Sequence, residues 1–295
     1  MDDIKIVSIG DAEYPDALKK ISNAPKTLYF RGALPKPNEL CVAVVGCRRC
    51  SDYGKSIAFN LSSDLAGAGI TVVSGLAPGI DTVAHQAVVE RGARTIAVLG
   101  TGVDEKSLYP QENIGLARKI VANGGCVMSE YPAGTEGAKF TFPQRNRIVS
   151  GLSRAVVVVE AKQKSGALIT ANWARLQKKI VFAVPGSIFS QNSRGCHFLI
   201  KQGAKLAENI DDIMKELAVQ SPLALSVAEG QTKKQGANEE EKLILECLKQ
   251  GPAHIDKIIE NTKLSAKAVA GALMIMELEG KARNLGGSVY ALTHK

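Results

Sequence analysis

Residues 70–87 read ITVVSGLAPGIDTVAHQA and contain, in order, the parts of a buried strand, a glycine turn and the start of a helix. The β-branched run Ile70–Val73 favours a buried strand, and Asp81 and Thr82 can cap the helix that follows. Unpaired backbone N–H groups at a helix N-terminus, together with the helix dipole, attract phosphate or carboxylate groups. We therefore predict an anion-binding loop here; a glycine turn used only for close packing is the alternative.

Strand and helix patterns alternate on both sides of this stretch. Strands are predicted at residues 27–31, 41–45, 70–74, 95–99, 125–129, 155–160 and 180–184, and helices at 53–67, 82–91, 113–123, 143–150, 169–176 and 195–201. Continuous apolar strands between helices indicate a parallel sheet covered on both faces. We predict an α/β fold, an extended Rossmann-like, doubly wound and mainly parallel sheet over residues 1–217, with residues 1–40 as an N-terminal extension. Its binding site is expected beyond the carboxyl ends of the strands.

The end of the chain has a different pattern. Residues 218–238 are polar and lack periodicity, which predicts a linker. Three amphipathic helices, at residues 239–248, 255–262 and 266–279, precede a hairpin around Gly286-Gly287, so residues 239–295 are predicted to form a small winged-helix domain. Its third helix carries a single cation, Lys267. Because groove-binding helices are rich in cations and amides, we expect this domain to contribute little to any single-strand affinity and to serve as a protein-contact or accessory duplex-binding module.

The composition predicts a folded protein of the cytoplasm. The chain has 295 residues, of which 45% are hydrophobic, enough for a sizeable core. Its apolar runs are too short to span a bilayer, and the first residues do not read as a secretory leader, so no membrane association is expected. The six cysteines are scattered and several lie in apolar runs, which is typical of small core residues in a reducing compartment.

The positive charge is concentrated in one segment. The formal net charge is +8, and residues 139–179 contain nine basic residues but one acidic residue, Glu160. The basic residues of this segment are Lys139, Arg145, Arg147, Arg154, Lys162, Lys164, Arg175, Lys178 and Lys179. A field of one sign that is this concentrated indicates a polyanionic partner.

The motifs do not support cofactor, metal or hydrolytic chemistry. The loop after the first strand lacks the second and third glycines of a dinucleotide fingerprint, and Arg49 stands where a P-loop needs its first glycine. Cys47 and Cys50 have no second ligand pair at zinc-site spacing. His85 is expected to be a core residue with its hydrogen bonds satisfied rather than a general base. The sequence has no Ser/His/Asp order, no paired carboxylates and no HExxH motif that could form a hydrolytic site. We therefore expect no cofactor, no metal and no enzymatic activity.

The stretch KFTFPQRNRIVSGLS, residues 139–153, carries the strongest functional signal. Lys139, Arg145 and Arg147 offer cations for phosphates, and Phe142 offers an aromatic face for an unstacked base, as in single-strand recognition. The alternative is that Phe142 belongs to the core and that the two arginines hold neighbouring loops in place.

Several motifs together closely resemble one known family. They are VGCRRCSDYG (45–54), SGLAPGID (74–81), AVLGTGVDEKSLYPQEN (97–113), SEYPAG (129–134), FPQRNRIVSGLS (142–153), VVEAKQKSGALITA (158–171) and FAVPG (182–186). In this order they are similar to the DNA-processing protein A (DprA, also called Smf) family. The resemblance implies a protein that binds single-stranded DNA, protects incoming DNA during natural transformation and loads the RecA recombinase. It also implies a homodimer formed through the Rossmann-like domain.

The resemblance also assigns site residues. It implies that Arg48 and Lys139 bind DNA and that Phe142 stacks on a base. The expected DNA-binding set is Arg48, Lys139, Phe142, Arg145, Arg147 and Lys164, and the expected anion loops contain Gly46, Ser74, Gly75, Gly79, Ser165 and Gly166. Gln111 departs from the family pattern, because some members have lysine there, and this removes one cation.

A nucleotide-processing enzyme related to the nucleoside monophosphate phosphoribohydrolases is the alternative function. Those enzymes carry PGGxGTxxE, whereas residues 78–86 read PGIDTVAHQ in this chain. Ile80 and Thr82 therefore replace the second and third glycines of that motif, and Gln86 replaces its glutamate.

Overall fold

The apolar run Cys41–Val45 forms an inner strand of a nine-stranded sheet in the computed structural model of the chain. The structure describes residues 3–219, 235–249, 251–278 and 281–292. The strands of the large sheet are β1 (Lys5–Ser8), β2 (Thr27–Gly32), β3 (Cys41–Val45), β4 (Thr71–Ser74), β5 (Thr95–Leu99), β6 (Cys126–Ser129), β7 (Ala155–Val158), β8 (Ile180–Ala183) and β9 (Lys205–Leu206). They lie in the order β1-β2-β6-β5-β4-β3-β7-β8-β9.

This sheet confirms the predicted doubly wound, mainly parallel fold. In the sheet order β6-β5-β4-β3-β7-β8-β9, all neighbouring strands pair in parallel. Strand β2 pairs antiparallel with both β1 and β6. The sequence pattern did not predict β1 and β9, which lie at the two edges of the sheet. Both are short and mostly exposed, so neither has the continuous apolar run that marks a buried strand.

Helices cover both faces of the sheet. They are α1 (Asp16–Lys19), α2 (Asp52–Gly67), α3 (Ile80–Glu90), α4 (Ile114–Ala122), α5 (Thr141–Leu152), α6 (Gly166–Leu176), α7 (Arg194–Lys201) and α8 (Ile210–Val219), and a 3₁₀ turn at Gln111–Asn113 precedes α4. Alternate residues of each strand point to opposite faces. Thus Ala43 packs in the cluster that includes α5 and α6, whereas Val42 and Val44 pack in the cluster that includes α2, α3 and α8. The sequence analysis did not predict α8.

The strand order reverses between β3 and β7, which places a crevice at their carboxyl ends. The loops after these strands are joined there, since the Cys47 N–H donates to the Glu160 carbonyl oxygen at 2.8 Å. The Glu160 carboxylate is buried and accepts from the Ser51 hydroxyl at 2.6 Å and the Ser51 N–H at 2.9 Å. These bonds fix the two loops that flank the crevice.

Residues 221–295 form a second compact unit, separate from residues 1–220. Its elements are α9 (Gln235–Lys249), β10 (Ala253–His254), α10 (Ile255–Thr262), α11 (Ala266–Leu278), β11 (Ala282–Gly286) and β12 (Val289–Leu292). The hairpin turn uses positive φ at Gly286 (99°) and Gly287 (55°), which glycine adopts readily. Three helices and a three-stranded sheet confirm the predicted winged helix.

The predicted linker, residues 218–238, is only partly described by the structure. Residues 220–234 of the predicted linker lie outside the described residues, as does Glu279 at the predicted end of the third helix. The other linker positions belong to helices, because α8 extends to Val219 and α9 begins at Gln235. Among the described residues, no helix is both long and apolar enough to cross a membrane.

Candidate nucleic-acid interface

A cleft of about 740 Å³ opens at the carboxyl edge of the sheet, beside the point where the strand order reverses. We call it the central cleft. Five parts of the chain line it: the loop after β3, the loop after β4 with Asp81, residues within 106–111, residues within 136–149, and the start of α6. It brings together five of the predicted DNA-binding and loop regions, namely those around Gly46, Arg48, Gly75, Lys139–Arg145 and Ser165–Gly166.

Phe142 is the aromatic centre of the cleft. It lies in the first turn of α5 and is half-buried. The Tyr109 ring is 5.7 Å away between centroids and tilted by 58°, and the Arg48 guanidinium lies 5.3 Å from the Phe142 centroid. A Cβ at Gly100 would lie 2.8 Å from the ring, and one at Gly137 would lie 2.6 Å from it. The absence of side chains at these two glycines therefore lets the ring sit where it does.

Exposed cations line the same cleft as this ring. Arg48, Lys106 and Lys139 all line the cleft with exposed side chains. Glu136 is an exposed acidic residue of the same lining, so the cations outnumber it. The sequence analysis missed Lys106 and Tyr109, although both lie inside the motif 97–113. Lys106 supplies a cation in the same loop in which Gln111 stands where some family members have lysine.

The amide of Gln111 is used within that loop. Its Nε2 donates to the backbone oxygens of Leu108 at 2.9 Å and Lys106 at 3.2 Å. The amide of Asn146, also in the cleft lining, donates from Nδ2 to the Gly166 oxygen at 3.2 Å. Both side-chain amides are therefore engaged by backbone rather than presented to a ligand.

Arg145 lies in the wall of the cleft and is buried. Its Nη1 donates to the Gly75 oxygen at 2.7 Å and to the Val98 oxygen, and its Nε donates to Asn146 Oδ1 at 3.1 Å. Burial lowers its pKa to about 10, a shift that nearby Asp81 opposes, so the group stays charged at neutral pH. The guanidinium thus ties the ends of two strands to α5, which is the structural role that the sequence left open.

Arg147 is not among the residues that line the cleft. Two residues along a helix differ by about 200° in direction, so Arg145 and Arg147 face opposite ways. Arg147 is buried and makes a bidentate ion pair with Glu130, with Nη–Oε distances of 2.6 and 2.7 Å. Its Nε also donates to the Asn23 oxygen at 2.9 Å, which attaches the N-terminal extension to α5. These contacts favour the structural role that the sequence analysis left open for Arg147 over a DNA contact.

The glycine turn after β4 binds an anion, but this anion belongs to the chain. The Gly75 N–H donates to Asp81 Oδ2 at 3.1 Å, and backbone hydrogen bonds from Ala77 and Gly46 act on the same carboxylate. Burial raises the pKa of Asp81, and the Arg145 charge and these N–H groups oppose that rise. Asp81 is thus not a helix cap but occupies the position expected for an external phosphate.

The other predicted loop residues have structural contacts. The Ser74 hydroxyl donates to the Val44 oxygen at 2.6 Å and is buried. Gly79 has a φ of 86°, and a Cβ there would lie 2.4 Å from the Cys47 oxygen, so only glycine fits. Neither residue lines the cleft. Their glycine turn serves close packing, which was the alternative prediction.

The start of α6 does face the cleft. Ser165 caps this helix, since its Oγ accepts from the Ala167 N–H at 3.3 Å, and Ser165 and Gly166 line the cleft. The positive end of the α6 dipole is therefore directed there. Lys164 is exposed immediately before it, although it is not part of the lining.

His85 and Cys47 lie outside the lining, and both are buried. The Thr95 hydroxyl donates to the Val72 oxygen, so it accepts from Nδ1 of His85 at 2.8 Å. Burial lowers the His85 pKa to about 3, and burial raises the Cys47 pKa to about 12. Within the described part of the chain, no group of three or more His, Cys, Asp or Glu residues is placed to hold a metal ion.

Comparison with protein families gives two matches. Residues 5–218 match the family model described as DNA recombination-mediator protein A, and residues 228–288 match that of the DprA winged helix domain. DNA processing protein DprA of Streptococcus pneumoniae is 45% identical over 209 residues, which cover 71% of this chain and 73% of that protein. DNA processing protein DprA of Bacillus subtilis is 41% identical over 217 residues, covering 72% and 71%. Protein Smf of Escherichia coli is 41% identical, but the match covers 69% of this chain and 54% of that protein.

Two solved structures of DNA processing protein A are also similar to this chain. The X-ray structure of DNA processing protein A from S. pneumoniae matches with a TM-score of 0.66 and 43% identity, covering 72% of this chain and 74% of that one. DNA processing protein A from Helicobacter pylori, whose structure concerns a single-stranded DNA binding mode, matches with a TM-score of 0.63 and 29% identity, covering 75% and 99%. These relatives confirm the resemblance that the motifs indicated.

Proposed function

The chain belongs to the DNA recombination-mediator protein A family, and from this premise we propose that it binds single-stranded DNA in the central cleft as a recombination mediator. The observation that carries the proposal is the half-buried ring of Phe142 among the exposed cations Arg48, Lys106 and Lys139. An unstacked base has a π-face for this ring, and its flanking phosphates attract the cations. Duplex DNA keeps its bases stacked and offers no such face.

Binding in this cleft is expected to be largely independent of sequence. Ring stacking and phosphate contacts are available to every nucleotide. The amides of Gln111 and Asn146, which could read base edges, donate to backbone oxygens instead. Affinity should therefore fall steeply with salt and differ little between oligonucleotide sequences.

Two partners are proposed on the basis of the family. We propose that the chain forms a homodimer through its Rossmann-like unit and that it loads a RecA-type recombinase onto the bound strand. The winged helix is proposed as the accessory module for a protein or a duplex, because residues 266–278 of α11 include one cation, Lys267. Sedimentation of the free protein tests the first proposal, and recombinase filament assembly on coated single-stranded DNA tests the second.

The proposed DNA binding is tested by gel shift with oligo-dT, a mixed-sequence strand and the matching duplex. We expect both single strands to bind with similar affinity and the duplex to bind more weakly at moderate salt. Tighter binding of the duplex would contradict the proposal. Incubation with AMP tests the alternative, since release of free adenine would indicate a phosphoribohydrolase.

A further inference from the structure

An exposed aromatic side chain stands at the tip of the loop after β8. Ile188 and Phe189 are the central residues of a turn, with the Ser190 N–H donating to the Ser187 oxygen at 3.0 Å. Their exposed fractions are 73% and 89%. Central turn positions usually hold glycine, proline, asparagine or aspartate, because these residues suit the backbone and the solvent. Two large apolar side chains there have no role in the core.

The turn is held rigidly. The Phe189 N–H donates to the Ser187 hydroxyl at 3.3 Å, and the Tyr53 hydroxyl donates to the Pro185 oxygen at 2.7 Å. A Cβ at Gly186 would lie 2.3 Å from Ser193 Oγ, so the two arms of the loop are in close contact. A fixed loop presents the Phe189 ring at little cost in conformational entropy.

The same loop is joined to both segments that flank the central cleft. Asn192 donates from Nδ2 to the Arg49 oxygen at 3.1 Å, and Arg49 directly follows Arg48 of the cleft lining. The Asn192 oxygen accepts from the Ala161 N–H at 2.7 Å, in the segment that leads to the Ser165 end of the cleft. The turn therefore lies at the same edge of the sheet as the cleft.

The segments between the cleft and the turn are cationic. Arg49, Lys162, Lys164 and Arg194 have exposed side chains. Residues 159–166 and 185–195 contain one acidic residue, Glu160, whose carboxylate is buried and accepts from Ser51. The Arg49 segment also holds Asp52, which is exposed and pairs with Lys55 at 2.9 Å. The exposed cations outnumber it, so a ligand that runs along this edge would meet a mainly positive field, which favours an anionic strand over an apolar protein surface.

We propose that Phe189 is a second base-stacking platform, which binds the single strand after it leaves the central cleft, while Arg49, Lys162, Lys164 and Arg194 contact its phosphates. The proposal rests on the proposed function and extends it from one aromatic residue to two. A strand long enough to reach both rings gains a second stacking contact, whereas a strand confined to the cleft does not.

The first test compares two lengths of labelled oligo-dT, about 6 and about 20 nucleotides, by fluorescence anisotropy. Phe189→Ala should weaken binding of the long strand about fivefold or more, as one stacked base predicts, and leave the short strand unchanged. Phe189→Tyr should restore the wild-type affinity. Leu176→Ala is the matched control, because Leu176 is also an exposed apolar residue, at the far end of α6.

The second test places a reporter at the platform. Phe189→Trp in a Trp173→Phe background leaves one tryptophan in the chain, because Trp173 is the one natural tryptophan. Its emission should be quenched by the long oligo-dT and not by the short one. An unquenched signal, an unchanged long-strand affinity in Phe189→Ala, or loss of self-association in that variant would overturn the platform. Failure of the wild type to bind either strand would instead refute the proposed function.

Discussion

Replacing Phe142 with alanine tests the centre of the proposed site most directly. The ring is half-buried, with Arg48 5.3 Å from its centroid and Tyr109 at its edge. Removing it deletes the π-face for a base and also the contact with the Arg48 guanidinium. Affinity for oligo-dT should therefore fall. The described cleft lining has no other half-buried ring beneath Arg48 that could take the place of Phe142.

The expected size follows from the geometry. Base stacking on an aromatic side chain contributes about 1–3 kcal/mol. In the free protein Arg48 lies near the ring, a contact of about 0.5–1 kcal/mol at an exposed site, and a base that takes this position displaces it. The net loss for Phe142→Ala is therefore about 0.5–2 kcal/mol, or roughly a 2- to 30-fold weaker Kd.

The assay is anisotropy titration at fixed moderate salt, with thermal melting of each variant beside it. Phe142→Leu is the control, because it keeps apolar packing but has no π-face, and it should lose nearly as much affinity as the alanine variant. Arg48→Ala alone and combined with Phe142→Ala completes a double-mutant cycle, and the coupling should be below about 1 kcal/mol. Wild-type affinity in Phe142→Leu, or a loss of binding that follows the loss of melting temperature, would refute stacking and place the ring in the core.

The remaining predictions address charge, pH and domain roles. Lys106→Ala should reduce the slope of log affinity against log salt by about 0.7, the share of one phosphate contact on a single strand, with unchanged melting; an unaltered slope would exclude that contact. Arg147→Ala should instead lower the free energy of unfolding by about 3–5 kcal/mol, since it leaves the Glu130 carboxylate unpaired, and keep the salt slope. The folded-state pKa of His85, about 3, lies below its unfolded value, so stability should be full above about pH 6.5 and fall by about 2 kcal/mol at about pH 5. Urea titrations of His85→Gln should not show this fall in stability between about pH 6.5 and about pH 5. If the fall persists in the variant, another group causes it. A fragment of residues 1–220 should keep most of the oligo-dT affinity of the full chain, whereas a hundredfold loss would assign single-strand binding to the winged helix.

The inner strands could be predicted from the sequence because burial on both faces leaves an unbroken apolar run. Cys41–Val45 and Thr95–Leu99 have the predicted bounds, and every residue in them is buried. The edge strands β1 and β9 could not be found in this way, because pairing through the backbone requires no apolar pattern. Fold class was therefore predictable, while the antiparallel edge was not.

Closeness in sequence does not decide which residues share the site, because a helix directs neighbouring side chains to different sides. The motif FPQRNR places Arg145 and Arg147 close together in sequence, and a reading by proximity assigns both to DNA. Once α5 forms, Phe142 and Arg145 share one face, and Arg147 turns toward Glu130. Lys106 shows the opposite case, because it is distant in sequence from Lys139 and yet lines the same cleft.

The position of Asp81 shows why a glycine turn before a helix does not by itself indicate a phosphate site. Such a turn does offer N–H donors, but Asp81, the second residue of α3, accepts from them, with the Gly75 N–H donating at 3.1 Å. A second anion brought there would meet a buried carboxylate, and the nearby Arg145 already donates to Gly75 and Val98. Charge for an incoming strand must then come from the exposed cations of the cleft, whose contacts with phosphate are screened by salt. In the proposed binding mode, the cleft therefore holds a strand by a base on Phe142 and by its phosphates on these exposed cations.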